Sequence, residues 1–126
     1  MYRQVNRYNK FGNVKQTYDG YSYMSKAEAD YAMELDLRLK AKDIKFWERQ
    51  FKVAITNPKS DKHICNYFLD FIIQHNDDSY ELIEVKGYPT STWMLKKKLL
   101  EVLWLPENPN YRYTVINHKS GWGKRK

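Results

Sequence analysis

Residues 64–87, "ICNYFLDFIIQ-HNDDS-YELIEVKG", constrain the fold more than any other part of the chain. Two runs rich in β-branched and aromatic residues flank a short polar knot, the pattern of an antiparallel hairpin. The first run is apolar on both faces, as a central strand requires. In the second, side chains alternate between faces, so Tyr80, Leu82, Glu84 and Lys86 share one face and Glu81, Ile83 and Val85 the other. Charge on the face of a leucine needs a reason. Asp70 is the matching intruder in the first strand. A loop of three residues at Asn76–Asp78, or of five on the same centre, makes paired positions sum to 154 and sets Asp70 opposite Glu84. A two-residue turn at Asp77-Asp78 instead separates them onto opposite faces.

In the odd-loop register the two carboxylates stand on Cβ atoms about 4.5–5.5 Å apart. They repel unless a cation lies between them. Converging carboxylate oxygens are what a hard divalent ion prefers, Mg²⁺ keeping its other positions for water and substrate phosphate. Lys86 points toward the same place, where an ammonium steadies an attacking hydroxide or the charge developing on a phosphate. The ordinary alternative is a structural ion pair of Lys86 with Glu84 or Asp70, and E-x-K alone does not discriminate.

The rest of the chain supplies an ordered frame. Residues 25–42 read as a helix with Ser25 as N-cap and an inward stripe of Glu28, Ala32, Leu35 and Leu39. "SKAE" is a capping box, so Glu28 either returns a bond to Ser25 or, from the inward stripe, faces the sheet as a further acid. Residues 45–55 read as a half-buried strand carrying Gln50, ended by the loop with Pro58. Residues 90–105 read as a second helix, its stripe Leu95, Leu99, Val102 and Leu103, and 111–116 as a last strand. The order is αβββαβ in one domain.

Charge is concentrated at the ends. Arg3, Arg7, Lys10, Lys15 and Lys26 face only Asp19 in the first 26 residues, and Lys119, Lys124, Arg125 and Lys126 face no acid in the last ten. The net +7 therefore lies in the termini. Interleaved with Tyr2, Tyr8, Phe11, Tyr18, Tyr21 and Tyr23, the first of these arms suits phosphate contacts and base stacking, although basic termini also serve solubility alone. No run approaches the roughly 18 apolar residues of a membrane span, and "MYRQVNRYNK" has no signal-peptide core. The expectation is a cytoplasmic protein without a membrane partner. Cys65 cannot form an internal disulfide and reads as a small core residue. Trp93, Trp104 and Trp122 read as core or interface residues.

An acid on the first helix, an aspartate on the second strand and E-x-K on the third, in the order αβββαβ, resemble the PD-(D/E)XK nuclease superfamily. "SKAEADYAMELDLRLKAKDI", "YFLDFII", "ELIEVKG" and "TSTWMLKKKLLE" are similar to a phage and prophage family of that superfamily, related to Holliday junction resolvases. The resemblance spans roughly residues 18–116, between a basic N-terminal arm (1–17) and a basic tail (117–126). It implies an α/β, restriction-endonuclease-like core with a central mixed sheet flanked by helices. It implies Asp70, Glu84 and the Val85 carbonyl as Mg²⁺ or Mn²⁺ ligands, Lys86 as catalytic lysine, and Glu28 as an acid reaching the metal directly or through water. Leu69 stands where the family often has proline, which leaves the carboxylate in place. Gln50 is a candidate for orienting water or phosphate. Thr92, Lys96 and Lys97, near the start of the second helix, are candidates for the DNA backbone, together with Arg3, Arg7, Lys10 and Lys15. The expected activity is metal-dependent DNA endonuclease, structure-specific on branched DNA, acting as a homodimer. The competing expectations are a catalytically silent DNA-binding module and a nicking subunit that takes its specificity from a partner.

Overall fold

A computed structural model describes residues 16–18, 20–23 and 25–117. Arg3, Arg7, Lys10 and Lys15, the tail from 118 onward and Trp122 lie outside the described residues. The chain divides into two compact units, Met1–Asp43 and Ile44–Lys126.

In the first unit a hairpin of β1 (Gln16–Tyr18) and β2 (Tyr21–Tyr23) precedes α1 (Lys26–Lys40). This hairpin adds to the expected αβββαβ order. Its signal was present in Asp19-Gly20, a two-residue hairpin pair, and Gly20 adopts φ +81°, where a side chain is disfavoured. Strands of three residues are too short to show an alternating pattern. The helix starts as its sequence dictates: Ser25 is the N-cap and its Oγ accepts the Glu28 N–H at 3.2 Å. Glu28, Ala29, Ala32 and Leu35 are buried, but Leu39 in the last turn is exposed, so the inward stripe ends one turn earlier than the spacing implied.

In the second unit β3 (Phe46–Thr56), β4 (His63–Gln74), β5 (Tyr80–Lys86) and β6 (Tyr111–Asn117) form one mixed sheet in the order β3-β4-β5-β6. The first three run antiparallel in succession, and β6 pairs parallel to β5 after the crossover through α2 (Ser91–Leu99). The apolar β4 and β5 are the two inner strands, as their burial on both faces demands. The mixed α/β class read from the sequence holds at this level.

The α2 segment departs from a regular helix. Thr90 caps it, accepting the Trp93 N–H, and after Leu99 the chain widens into a π turn (Leu100–Trp104) and then a 3₁₀ turn (Leu105–Glu107). The buried face differs from the expected stripe. Trp93, Leu99, Leu100, Leu103 and Trp104 pack on the core with Val53, Ile55, Leu69, Ile72 and Leu82, whereas Leu95 and Val102 are exposed, contrary to the 3.6-residue spacing. Cys65 lies half-buried against this same core.

The sheet is distorted at one point. Arg49 pairs Phe71 and Phe51 pairs Leu69, but Gln50, which stands between them opposite Asp70, has φ +59°. A non-glycine residue there costs about 1–2 kcal/mol. On β4, Leu69 and Ile72 both enter the cluster that holds Leu82, so the two-residue alternation slips beside Asp70.

Candidate functional site

The turn decides the register. Gln74 pairs Tyr80, Ile72 pairs Leu82 and Phe71 pairs Ile83, so paired positions sum to 154. His75 N–H donates to the Ser79 carbonyl and Asp78 to the His75 carbonyl, closing a three-residue loop with Asp78 at φ +71°. Asp77 Oδ1 accepts from the Ser79 amide and hydroxyl, which is the local chemistry that makes NDDS turn.

Continued by one step, this register brings Asp70 opposite Glu84. There the backbone ladder stops. Asp70 Oδ2 accepts the Val85 N–H at 2.7 Å, so a side-chain oxygen replaces a main-chain carbonyl at the seam between β4 and β5. The aspartate thus enters the gap between the strands, beside the residue that follows Glu84.

Glu84 is buried, 5% exposed, on the face that Leu82 and Tyr80 share. Its Oε2 takes the Lys86 ammonium at 3.1 Å, while Oε1 is buried with no hydrogen-bond partner. Burial pushes the Glu84 carboxyl above the usual carboxylate range, although Lys86 and the Tyr67 hydroxyl favour the charged form. Lys86 Nζ also lies 5.0 Å from the centre of the Trp93 ring, an attraction that fixes its head group. Trp93 Nε1–H donates to Tyr67 Oη at 2.8 Å, and Tyr67 and Tyr113 share a hydroxyl bond of 2.9 Å. Burial holds both phenols well above their ordinary range, so they keep their protons. Trp93 is therefore part of this polar cluster and not only of the core. Tyr67 and Tyr113 were missed from sequence because each, taken alone, is an ordinary inward residue of its strand.

The charge on Glu84 has a consequence for stability. Its pKa in the folded chain stands above the unfolded value, so the protonated form is the one folding favours. Stability from this group is present at acid pH and declines as pH rises through the unfolded and then the folded value. Glu84→Gln, neutral at every pH, is expected to melt no lower than the wild type at neutral pH in EDTA. A marked fall in the melting midpoint would show instead that the Lys86 pair outweighs the burial.

The other candidates fall as follows. Gln50 faces Asp70 across β3 and β4 with its side chain exposed. Thr92 is exposed on the first turn of α2, Lys96 is half-buried, and Lys97 pairs with Glu101 at 2.9 Å. Glu28 belongs to the first unit, buried at 8% exposure, with its N–H capped by Ser25. Among the described residues no three His, Cys, Asp or Glu side chains come together as a metal cluster. Glu81 on the opposite face has a structural explanation. Burial would raise its pKa, but Thr114 at 2.6 Å, His75 at 2.8 Å and Arg112 outweigh that and lower it, tying the β4–β5 turn to β6.

The residues at the seam fit a hard divalent cation. A buried carboxylate oxygen without a donor is costly and rare, and Glu84 Oε1 is one such oxygen, next to a strand gap that Asp70 enters. An all-oxygen donor set of this kind suits Mg²⁺ or Mn²⁺ rather than a thiophilic metal. Among the described residues no helix is long and apolar enough to cross a membrane. No curated protein and no solved structure matches the chain. A family model covers residues 8–119, nearly the whole sequence, and by that match the chain belongs to the family described as Protein of unknown function (DUF1064).

Proposed function

We propose that this protein is a divalent-metal-dependent DNA endonuclease of the PD-(D/E)XK type, acting on branched DNA. The observation that carries the reading is the pairing of a ladder-breaking Asp70 with a buried Glu84 whose Oε1 lacks a partner and whose Oε2 is held by Lys86. Asp70, Glu84 and, by the resemblance, the Val85 carbonyl would hold the metal. When bound, Mg²⁺ or Mn²⁺ supplies Lewis-acid polarisation of a phosphate oxygen and a more acidic water. Lys86 contributes a fixed positive charge where charge develops on the phosphate. In this reading Thr92 and Lys96, on the first turns of α2, contact the DNA backbone. The preference for branched substrate, and the homodimer it calls for, rest on the sequence resemblance.

The test offers the purified protein four-way junctions, flaps, single strands and linear duplex with Mg²⁺, Mn²⁺ or EDTA. Cleavage is expected only with metal and most strongly on branched substrates. Lys86→Ala is expected to slow it roughly 10²-fold or more while DNA binding persists. Binding without cleavage in every metal would identify a silent DNA-binding module instead. Cleavage that appears only with an added protein would identify a partner-dependent subunit.

A further inference from the structure

β3 and β4 stay paired from Phe51–Leu69 out to Thr56–His63, beyond the stretch of β4 (Phe71–Gln74) that pairs with β5. One face of this ribbon is buried, with Val53, Ile55, Tyr67 and Leu69 in the core. The other face is open. Along it Gln50, Lys52 and Ala54 are exposed on β3, and Phe68, also exposed, pairs directly with Lys52 from β4. A lone exposed ring needs no explanation, but the neighbours of this one give it a use. Phe68 is two residues along β4 from Asp70, about 7 Å at the rise of a strand, and Lys52 is two residues along β3 from Gln50, which stands opposite Asp70. From Gln50 to Phe68 the exposed cations Lys52, Lys59 and Lys62 face a single acid, Asp61. The exposed Ile64 is separated from Phe68 by Asn66 in the alternation of β4, so polar groups break the apolar surface. A protein interface has an apolar centre and is poor in lysine. A polyanion with flat bases calls for the reverse, a ring set among cations.

We propose that the outer face of the β3–β4 ribbon receives a DNA strand beside the metal seam, with Phe68 stacking on an unpaired base and Lys52 on an adjoining phosphate. This inference rests on the reading of the protein as one that acts on DNA, and adds to it the feature that senses a branch. Bases of an intact duplex are stacked on both faces and closed to the ring, whereas taking a base out of the stack costs least where it is already unpaired. Lys59 and Lys62, in the loop between β3 and β4, continue the positive track away from the seam.

The test is fluorescence anisotropy of the full chain in EDTA, so that binding is read without cleavage, on a labelled four-way junction with an unpaired base at its centre, a single strand and a fully paired duplex. Phe68→Ala is expected to weaken binding of the junction and the single strand about tenfold, the scale of one base–aromatic stack, and to leave duplex affinity unchanged. Phe68→Tyr, which keeps a ring, should bind the junction as wild type does, and Phe68→Leu, apolar without a ring, should behave as alanine does. Lys52→Gln is expected to weaken binding of all three substrates and to reduce the salt slope by about one. Equal losses on junction and duplex in Phe68→Ala, or wild-type junction affinity in Phe68→Leu, would overturn the stacking role. A particle mass halved by Phe68→Ala in light scattering would make this face a contact between copies, which also overturns the proposal. The expected losses without any cleavage in Mg²⁺ or Mn²⁺ would keep the surface and overturn the nuclease. Metal-dependent cleavage with wild-type junction affinity in Phe68→Ala would keep the nuclease and overturn the surface, and no DNA binding by wild type would overturn both.

Discussion

Asp70→Asn is expected to reduce metal-dependent DNA cleavage by roughly 10³-fold or more while leaving a folded protein. The reason lies in the two tasks of this side chain. Its Oδ2 accepts the Val85 N–H at 2.7 Å, replacing a rung of the β4–β5 ladder. Asparagine retains an acceptor oxygen for that task, so the strands stay joined, but it lacks the negative charge a divalent ion requires. Asp70→Ala separates the tasks in the other direction. It removes the acceptor as well, leaving a main-chain N–H in the seam unpaired at a cost of about 1–3 kcal/mol. Cleavage rates of the two variants should therefore be similarly low, while their melting midpoints differ, with asparagine the more stable. Equal activity of Asp70→Asn and wild type would remove the aspartate from the chemistry.

The largest effect on stability is expected at Phe71, next in sequence. Its side chain is fully buried and meets Trp47 edge-on at 5.8 Å between ring centres. Phe71→Ala is expected to cost about 3–5 kcal/mol, lowering the melting midpoint by roughly 10 °C or more. Phe68, three residues earlier on the same strand, is 54% exposed, and Phe68→Ala should change stability by no more than about 0.5 kcal/mol. Thermal melts of the two variants side by side check the burial pattern of β4. Similar losses for both would mean that the outer face of the β3–β4 ribbon is covered.

The hairpin itself was legible, but its register was left open between an odd-numbered loop and a two-residue turn, and the turn chemistry of the fold decides it. NDDS turns through Asp77 bonding to Ser79 and through Asp78 at positive φ, and once the loop is odd every pair in β4 and β5 follows. Asp70, Glu84 and Lys86 could be singled out because charge on an apolar strand has few explanations. The course of the aspartate was not legible. Alternation assigns side chains to faces, and it has no place for a carboxylate that enters the seam and takes a main-chain N–H. Gln50 opposite it was readable as a polar strand residue but not as one at φ +59°, since nothing in its neighbours calls for that conformation. The stripe on α2 failed for a related reason. Spacing alone did not fix the phase of the buried face or the π turn after Leu99: Leu95, ahead of that turn, and Val102 within it lie exposed while Leu100 is buried. Tyr67, Trp93 and Tyr113 lie 26 and 46 residues apart in their hydrogen-bonded pairs, and only the fold brings them to Glu84.

The most direct measurement is anomalous diffraction from crystals of the full chain grown with Mn²⁺. The expected result is a manganese peak at the β4–β5 seam, within coordination distance of an Asp70 oxygen, Glu84 Oε1 and the Val85 carbonyl, with Lys86 still on Oε2. A seam without manganese, with Glu84 closed over by its aromatic neighbours and Asp70 engaged solely by the Val85 amide, would contradict it.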